Sequence, residues 1–500
     1  MRNFPVKNLY YIIGSIFLLV YTVLVEGIVS GGNNIIHTVN ISMLIVVLPA
    51  YIWLLSTTYN VKKKVGFFFI FLILSIIFYY GQFLLICFGQ AAKLRDEYVS
   101  LLCGRLTDSV VIRTLFAQIK CLVAVHIGFL FVIREDIFDN EIISDIETTS
   151  GDIIIPYGFH IVAVCLFLVS SIMVFIMLFY NMTLGAYMTV RGEESSIYTF
   201  RSGNPMFYVS YISQWFLPSY YMLLLYNAIN KRRKVYNFLL LFICIYSVVY
   251  LLTGARFQLL KIALAVFLIH YYFVERITWK QLKWIILIVI VGMLLLSSMS
   301  QARQEQLSLG SLFSGINLSS IGDLIYNIFL EPANASVSLA STMQYCPSQV
   351  PHLYFESFVK VIGNILPSFI NPFYKLGTTT TSSIFSPLFY RFSGTGYGSS
   401  FITEAYYYWG NFMYIVMLIY GLIIGKIEKS FSNLISNKNI FVIFMSIYML
   451  SEMIYCVRND VFSLGRYFVY YVILPWLLIS IVNSLVSRRF YTSYKVKELN

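Results

Sequence analysis

Charge is what this sequence has least of. Asp, Glu, Lys and Arg make up 12% of its 500 residues and hydrophobic residues 59%, a balance that leaves too little polar surface to cover a soluble fold of this size. The bilayer must be its solvent. Metal and redox motifs are equally scarce. The seven cysteines (87, 103, 121, 165, 244, 346 and 456) are scattered, without Cys-x-x-Cys spacing or paired histidines, so neither a zinc site nor a disulfide framework is indicated. No expected outer loop contains Asp-x-Asp, His-Glu-x-x-His, Gly-x-Ser-x-Gly or a Walker loop. Metal-assisted transfer, serine hydrolysis and nucleotide-driven work there have no visible apparatus, and no cofactor or metal is expected. Repeats on the scale of a transporter half are also missing.

What is present is a succession of apolar runs, each near the roughly 20 residues a membrane helix needs. They fall at 9–29, 39–58, 66–88, 115–133, 157–180, 206–226, 236–254, 257–274, 284–301, 401–424, 440–457 and 466–486. Arg2 and Lys7 before the first run imitate a signal peptide, but no small-residue cleavage site follows, so it reads as a retained helix. The expected fold is an all-α polytopic membrane protein of about twelve transmembrane helices. Residues 1–300 hold helices 1–9, residues 301–400 form one large outer loop, and residues 401–500 hold helices 10–12 and a tail.

The net charge of +12 would suggest nucleic acid in a soluble protein; here it orients the chain. Parity places Lys62–Lys64 and Lys231–Lys234 on the side of both termini. Inner segments then carry 20 Lys/Arg and 10 Asp/Glu, outer ones 12 and 11, and Arg113, Lys120, Lys261, Glu26 and Glu452 are embedded. The bias favours cytoplasmic termini, and no nucleic-acid partner is expected. The outer loop is rich in Pro, Gly, Ser and Thr, and within it Ile321–Leu330 and Leu353–Ile365 have the periodicity of amphipathic surface helices.

Basic residues on the outer side stand against the topological bias. Arg256 closes the turn after the seventh run, Arg303 follows the ninth, Arg391 lies late in the loop, and Arg458 and Arg466 flank the last turn. Five guanidinium groups on one face suit a phosphate or pyrophosphate, which the planar fork binds better than Lys does; snorkelling to headgroups is the alternative. Glu404, at the start of the tenth run, and His352, four residues before Glu356, are candidate bases. Glu404 could equally be an ion-pair partner and His352 a solvated loop residue.

Several of these residues fall into a larger pattern. Thr253-Gly-Ala-Arg256, Asn364-Ile-Leu-Pro-Ser368, Gly396-x-Gly398-x-Ser400-x-x-x-Glu404-Ala-Tyr406, Trp409-Gly-Asn411 and Arg458-Asn-Asp460 occur in that order over residues 240–485. Together they resemble the O-antigen polysaccharide polymerases. The resemblance implies an enzyme of the bacterial inner membrane with a periplasmic active site and a GT-C-like membrane glycosyltransferase architecture. Such an enzyme transfers a growing glycan from undecaprenyl pyrophosphate to a lipid-linked repeat unit, amid membrane lipid and with a chain-length regulator as a partner. Arg256, Arg303 and Arg458, then Arg391 and Arg466, would hold the pyrophosphate, with Glu404 or His352 as base. His352 aligns with no family position. A flippase for lipid-linked oligosaccharide or an O-antigen ligase-like transferase would share much of this inventory, although a transporter should show two similar halves.

Overall fold

The computed structural model describes residues 6–32, 34–62, 66–133, 153–183, 205–252, 256–275, 321–330, 332–365, 381–390, 398–437, 439–458 and 462–497. Apart from loops and one isolated bridge between Ile154 and Asn439, these are helical. In chain order the main helices are α1 (Val6–Val29), α2 (Ile35–Val61), α3 (Phe67–Cys87), α4 (Asp108–Val132), α5 (Tyr157–Thr183), α6 (Pro205–Ser213), α7 (Phe216–Ile229), α8 (Arg233–Leu252) and α9 (Arg256–Phe273). They continue as α10 (Ile321–Leu330), α11 (Asn334–Tyr345), α12 (Glu356–Ile365), α13 (Thr381–Tyr390), α14 (Phe401–Trp409), α15 (Met413–Asn437), α16 (Ile440–Tyr455) and α17 (Leu464–Val486).

Among the described residues seven stretches are long and apolar enough to cross a bilayer: α1 to α4, Tyr157–Met177, Phe401–Lys429 and α17. Helices also occupy the other expected runs, except 284–301, which lies outside the described residues. The run at 206–226 is divided between α6 and α7.

The run at 401–424 needs a correction. Gly410 has φ +54°, and the rings of Phe401 and Tyr420 stack with centroids 4.8 Å apart. Nineteen residues of continuous helix would separate them by about 28 Å. The chain therefore folds back at Gly410: α14 is a half-length helix, and α15 makes the crossing. Phe401 also touches Phe71 and Tyr79, with centroids 5.8 and 6.1 Å away, so α14 begins level with the middle of α3.

The chain divides into two compact units. The first comprises 1–138, 318–430 and 453–465. Its helices meet through polar pairs that satisfy one another, as an interior without water requires. His126 of α4 is buried between Ser15 of α1 and Thr57 of α2, at 3.1 and 2.9 Å. Thr57 uses its proton on the Trp53 carbonyl, so it accepts from His126 Nε2, and Nδ1 accepts from Ser15. Lys120 of α4 pairs with Glu26 of α1 at 2.7 Å. At one end of this unit Phe68 N–H donates to Glu428 and Lys429 to the Val132 carbonyl. At the other, Thr107 and Arg105 exchange hydrogen bonds with Gln344, and Arg105 donates to the Phe389 carbonyl at 3.0 Å. The 88–107 connection and α11–α13 thus share one end, as the charge parity requires.

The long outer segment does more than cover that end. α10 has the expected bounds, but α12 begins only at Glu356, after Tyr354 in the left-handed region. His352 is outside that helix, so its spacing from Glu356 does not place the two on one helical face. Between them in sequence and α10 lies an unanticipated helix. α11 is buried from Ala335 to Met343 and packs on α3, α4, α13 and α14. Gln118 of α4 donates to Ser336 at 3.0 Å, and Ser336 donates to the Tyr79 carbonyl at 2.6 Å. A segment read as extramembranous is therefore inserted among the spans, which is tolerated where protein surrounds it.

The second unit, 139–317, 431–452 and 466–500, holds α5 to α9 with parts of α16 and α17. Lys261 and Glu452 form an ion pair of 2.8 Å there, with side chains 6% and 7% exposed. In the first unit α4 and α15 approach at Gly128, Gly421 and Gly425, a small-xxx-small seam. A Cβ on Gly421 would strike the Val125 carbonyl, and one on Gly128 the Leu418 carbonyl. Gly421→Leu is expected to lower stability by about 1–3 kcal/mol or more, read as a lower melting temperature in detergent. Leu at Gly27, which has open space around it, should leave the melt unchanged.

Candidate functional site

Helix α14 is the axis on which the candidate residues gather. Its sequence supplies a cap: Ser400 is extended and its hydroxyl accepts from the Thr403 N–H at 3.2 Å, the usual role of Ser at an N-cap. Glu404 follows in the first turn, where a carboxylate is favoured by the helix dipole. It is 2% exposed. The turn after α16 docks here, since Phe401 N–H donates to the Cys456 carbonyl at 3.1 Å and the Tyr79 phenol to the Val457 carbonyl at 3.0 Å. Arg458 is the next residue. A Cβ added at Gly398, where φ is +89°, would lie 3.9 Å from its Nε. The structure thus joins the Glu404 helix and the Arg458 turn, 54 residues apart in sequence, at the middle of the first unit. Ser399 between them is buried, and its hydroxyl has no hydrogen-bond partner among the described residues.

His352 sits at the opposite end of α14. Its Nδ1 lies 3.1 Å from the Tyr407 carbonyl, an acceptor only, so Nδ1 carries a proton, and in the neutral ring Nε2 is the nitrogen with the lone pair. Tyr407 is three residues past Glu404, a rise of about 4.5 Å. The imidazole packs edge to face on Tyr406 with centroids 5.4 Å apart and lies beside Cys346, whose sulfur is 3.2 Å from Nδ1. Burial pushes the Cys346 thiol up to about 12, so it is neutral at physiological pH. Gly410 packs against this ring: a Cβ there would meet His352 Nε2 at 3.0 Å.

Two cations on this helix escaped the sequence reading. Lys360 of α12, 5% exposed, donates to the Tyr408 phenol at 2.8 Å, one turn from Glu404. A charge sum by side places it among the outer-loop cations, and only the amphipathic periodicity of Leu353–Ile365 bears on its placement. Arg113 of α4 is exposed, and its guanidinium lies near enough to the Tyr406 phenol to act on it electrostatically.

The remaining candidates are distributed differently. Arg466 belongs to the second unit, with its guanidinium 4.8 Å above the Tyr211 ring. Arg256 is the first residue of α9, in the same unit, with its side chain outside the described residues. Arg303, Arg391 and Asp460 lie outside them altogether. Among the described residues the structure places the Arg458 turn against the start of the helix that carries Glu404, with His352 at that helix's other end.

These features define a polytopic, all-helical membrane protein whose polar centre is built on half-length helices. The chain belongs to the O-antigen polysaccharide polymerase Wzy family, whose sequence model matches residues 10–489. It is thereby a membrane-spanning O-antigen polymerase of lipopolysaccharide biosynthesis, a glycosyltransferase-like enzyme acting on lipid-linked oligosaccharide. No curated protein and no solved structure matches the chain.

Two measurements probe the site's construction. Gly410→Ala places a side chain in a region nearly restricted to glycine and against His352, at a cost of about 1–3 kcal/mol, so both melting temperature and activity should fall. In a variant retaining Cys346 alone, maleimide labelling should accelerate about tenfold per pH unit from 7 to 9 without levelling, because the thiolate accumulates only as pH approaches 12. A plateau near pH 8 would contradict this.

Proposed function

We propose that this protein polymerises undecaprenyl-pyrophosphate-linked O-antigen repeat units at the periplasmic face of the bacterial inner membrane. Its termini are cytoplasmic, its spans number about twelve, and its architecture is GT-C-like. The observation that carries the reading is the docking of the Arg458 turn on the capped start of α14, the helix that carries the buried Glu404, in a chain of this family. The acceptor hydroxyl gives its proton to a base and attacks the anomeric carbon of the growing glycan. The bond from that carbon to the pyrophosphate oxygen breaks, and undecaprenyl pyrophosphate leaves with the electron pair.

A pyrophosphate leaving group needs its charge stabilised more than it needs a proton, and fixed donors in a site closed to water supply that. Arg458, at the positive end of the α14 dipole, fits this task. Arg256, Arg303, Arg391 and Arg466 are further candidates, Arg466 the weaker because Tyr211 already engages it. His352 is the better-placed base, with Nε2 unprotonated in the neutral ring and the ring held by the Tyr407 carbonyl; Glu404, deeper in the bundle, is the alternative. Metal independence and the pairing with a chain-length regulator belong to the same reading.

Purified protein in proteoliposomes, given only lipid-linked repeat units and a chelator, should yield a ladder of polymers. Arg458→Ala and His352→Gln should each reduce the rate at least 100-fold with unchanged melting temperature. Wild-type ladders from both would sink the site assignment, and a requirement for divalent metal would sink the metal-free mechanism. In cells, loss of polymer with single repeats still attached to the lipid core fits a polymerase. Cores bearing no repeat at all would favour the flippase or ligase.

A further inference from the structure

Of the five charges expected inside the membrane, four pair off: Lys120 with Glu26 at 2.7 Å and Lys261 with Glu452 at 2.8 Å. Arg113 is the fifth. Among the described residues no carboxylate pairs with it, and its side chain is exposed. It lies five residues into α4, about 7.5 Å from the helix start, at the end of the unit that carries the 88–107 connection. An unpaired cation at that depth is costly unless a partner comes from outside the protein.

The neighbourhood indicates which partner. Tyr406, which Arg113 contacts, is two residues past Glu404 on α14, and its phenol also donates to the Cys346 carbonyl at 3.3 Å. The same ring lies against His352, with centroids 5.4 Å apart. Tyr406 is thereby fixed from two sides, with the guanidinium near its phenol and the imidazole against its ring. A guanidinium has five N–H donors in a fork, of which one phenol oxygen occupies a small part, and the rest match two oxygens of a phosphate.

We propose that Arg113 is a phosphate ligand at the His352 end of α14 for the pyrophosphate of the second lipid-linked unit that the reaction takes, distinct from the one beside Arg458, with Tyr406 as its positioning residue. This rests on the polymerase reading and adds to it a residue from the first half of the chain. A lipid headgroup offers the same chemistry, so the test separates the two sources.

The probe is geranylgeranyl pyrophosphate, titrated by intrinsic fluorescence against the full-length protein in neutral detergent, with and without phosphatidylglycerol. Wild type should bind it saturably; Arg113→Ala should weaken binding about 10- to 100-fold, Arg113→Lys less, and Tyr406→Phe about threefold to tenfold, with melting temperatures unchanged. Equal affinity of wild type and Arg113→Ala overturns the proposal and leaves the polymerase reading standing. So does competition by phosphatidylglycerol at comparable mole fraction, which assigns Arg113 to headgroups. Wild type that fails to bind the probe overturns both. Should Arg113→Ala melt early, Arg113→Lys decides: full affinity there means that fork geometry is irrelevant and refutes the phosphate role.

Discussion

The insertion of α11 among α3, α4, α13 and α14 is the contact on which the first unit's site depends. It is possible because Asn334–Tyr345 is built from Ala, Ser, Thr and Val, whose small side chains let one backbone lie close to another, with hydroxyls that bond across the seam. Ser336 joins Gln118 to the Tyr79 carbonyl. Gln344, at the far end, ties down the 88–107 connection, and Cys346 just beyond accepts from Tyr406. Without α11, α14 would have no wall on that side, and a nine-residue helix cannot persist alone.

α14 shows a second consequence of life without water. A half-length helix in the bundle exposes unsatisfied N–H groups at its buried start. Here one is taken by Ser400 and one by the Cys456 carbonyl, so the end of one helix stabilises the beginning of another. The positive end of a helix dipole then stands beside Gly398 and Arg458, which is a reason for a conformation-restricted glycine at that point.

Most of the fold could be read from the sequence because apolar runs and helical length are tied by bilayer thickness. What escaped are the features that depend on tertiary pairing. α11 has too few apolar residues to register as membrane-embedded, and its burial follows from hydroxyl bonds to residues more than 200 positions away. The break at Gly410 was concealed because both flanks, Phe401–Trp409 and Met413 onward, are apolar, and together they imitate one span. Among site residues, the Gly398 to Tyr406 and Arg458 to Asp460 patterns named Glu404 and Arg458, and the structure brings the Glu404 helix to the Arg458 turn. Lys360 and Arg113 did not stand out, since a charge sum by side cannot tell a solvated lysine from one bonded to Tyr408.

The basic residues that remain divide by chemistry more than by location. Lys120 and Lys261 each face one Glu, and Lys360 one phenol, all buried or nearly so; a compact ammonium with a single partner suffices to hold two helices. Arg113 and Arg466 are exposed or half-exposed and lie near aromatic rings, those of Tyr406 and Tyr211. Arg105 marks the boundary, because it spends its fork on the Phe389 carbonyl and the Tyr98 ring and is thereby structural. A guanidinium cannot discard its proton, so wherever it meets the low-dielectric edge of the bundle its charge must be met by another group. The lysines meet that demand inside the chain. For Arg113, on the proposal made above, the matching group is an anion supplied from outside, and an anion with several oxygens uses the fork best.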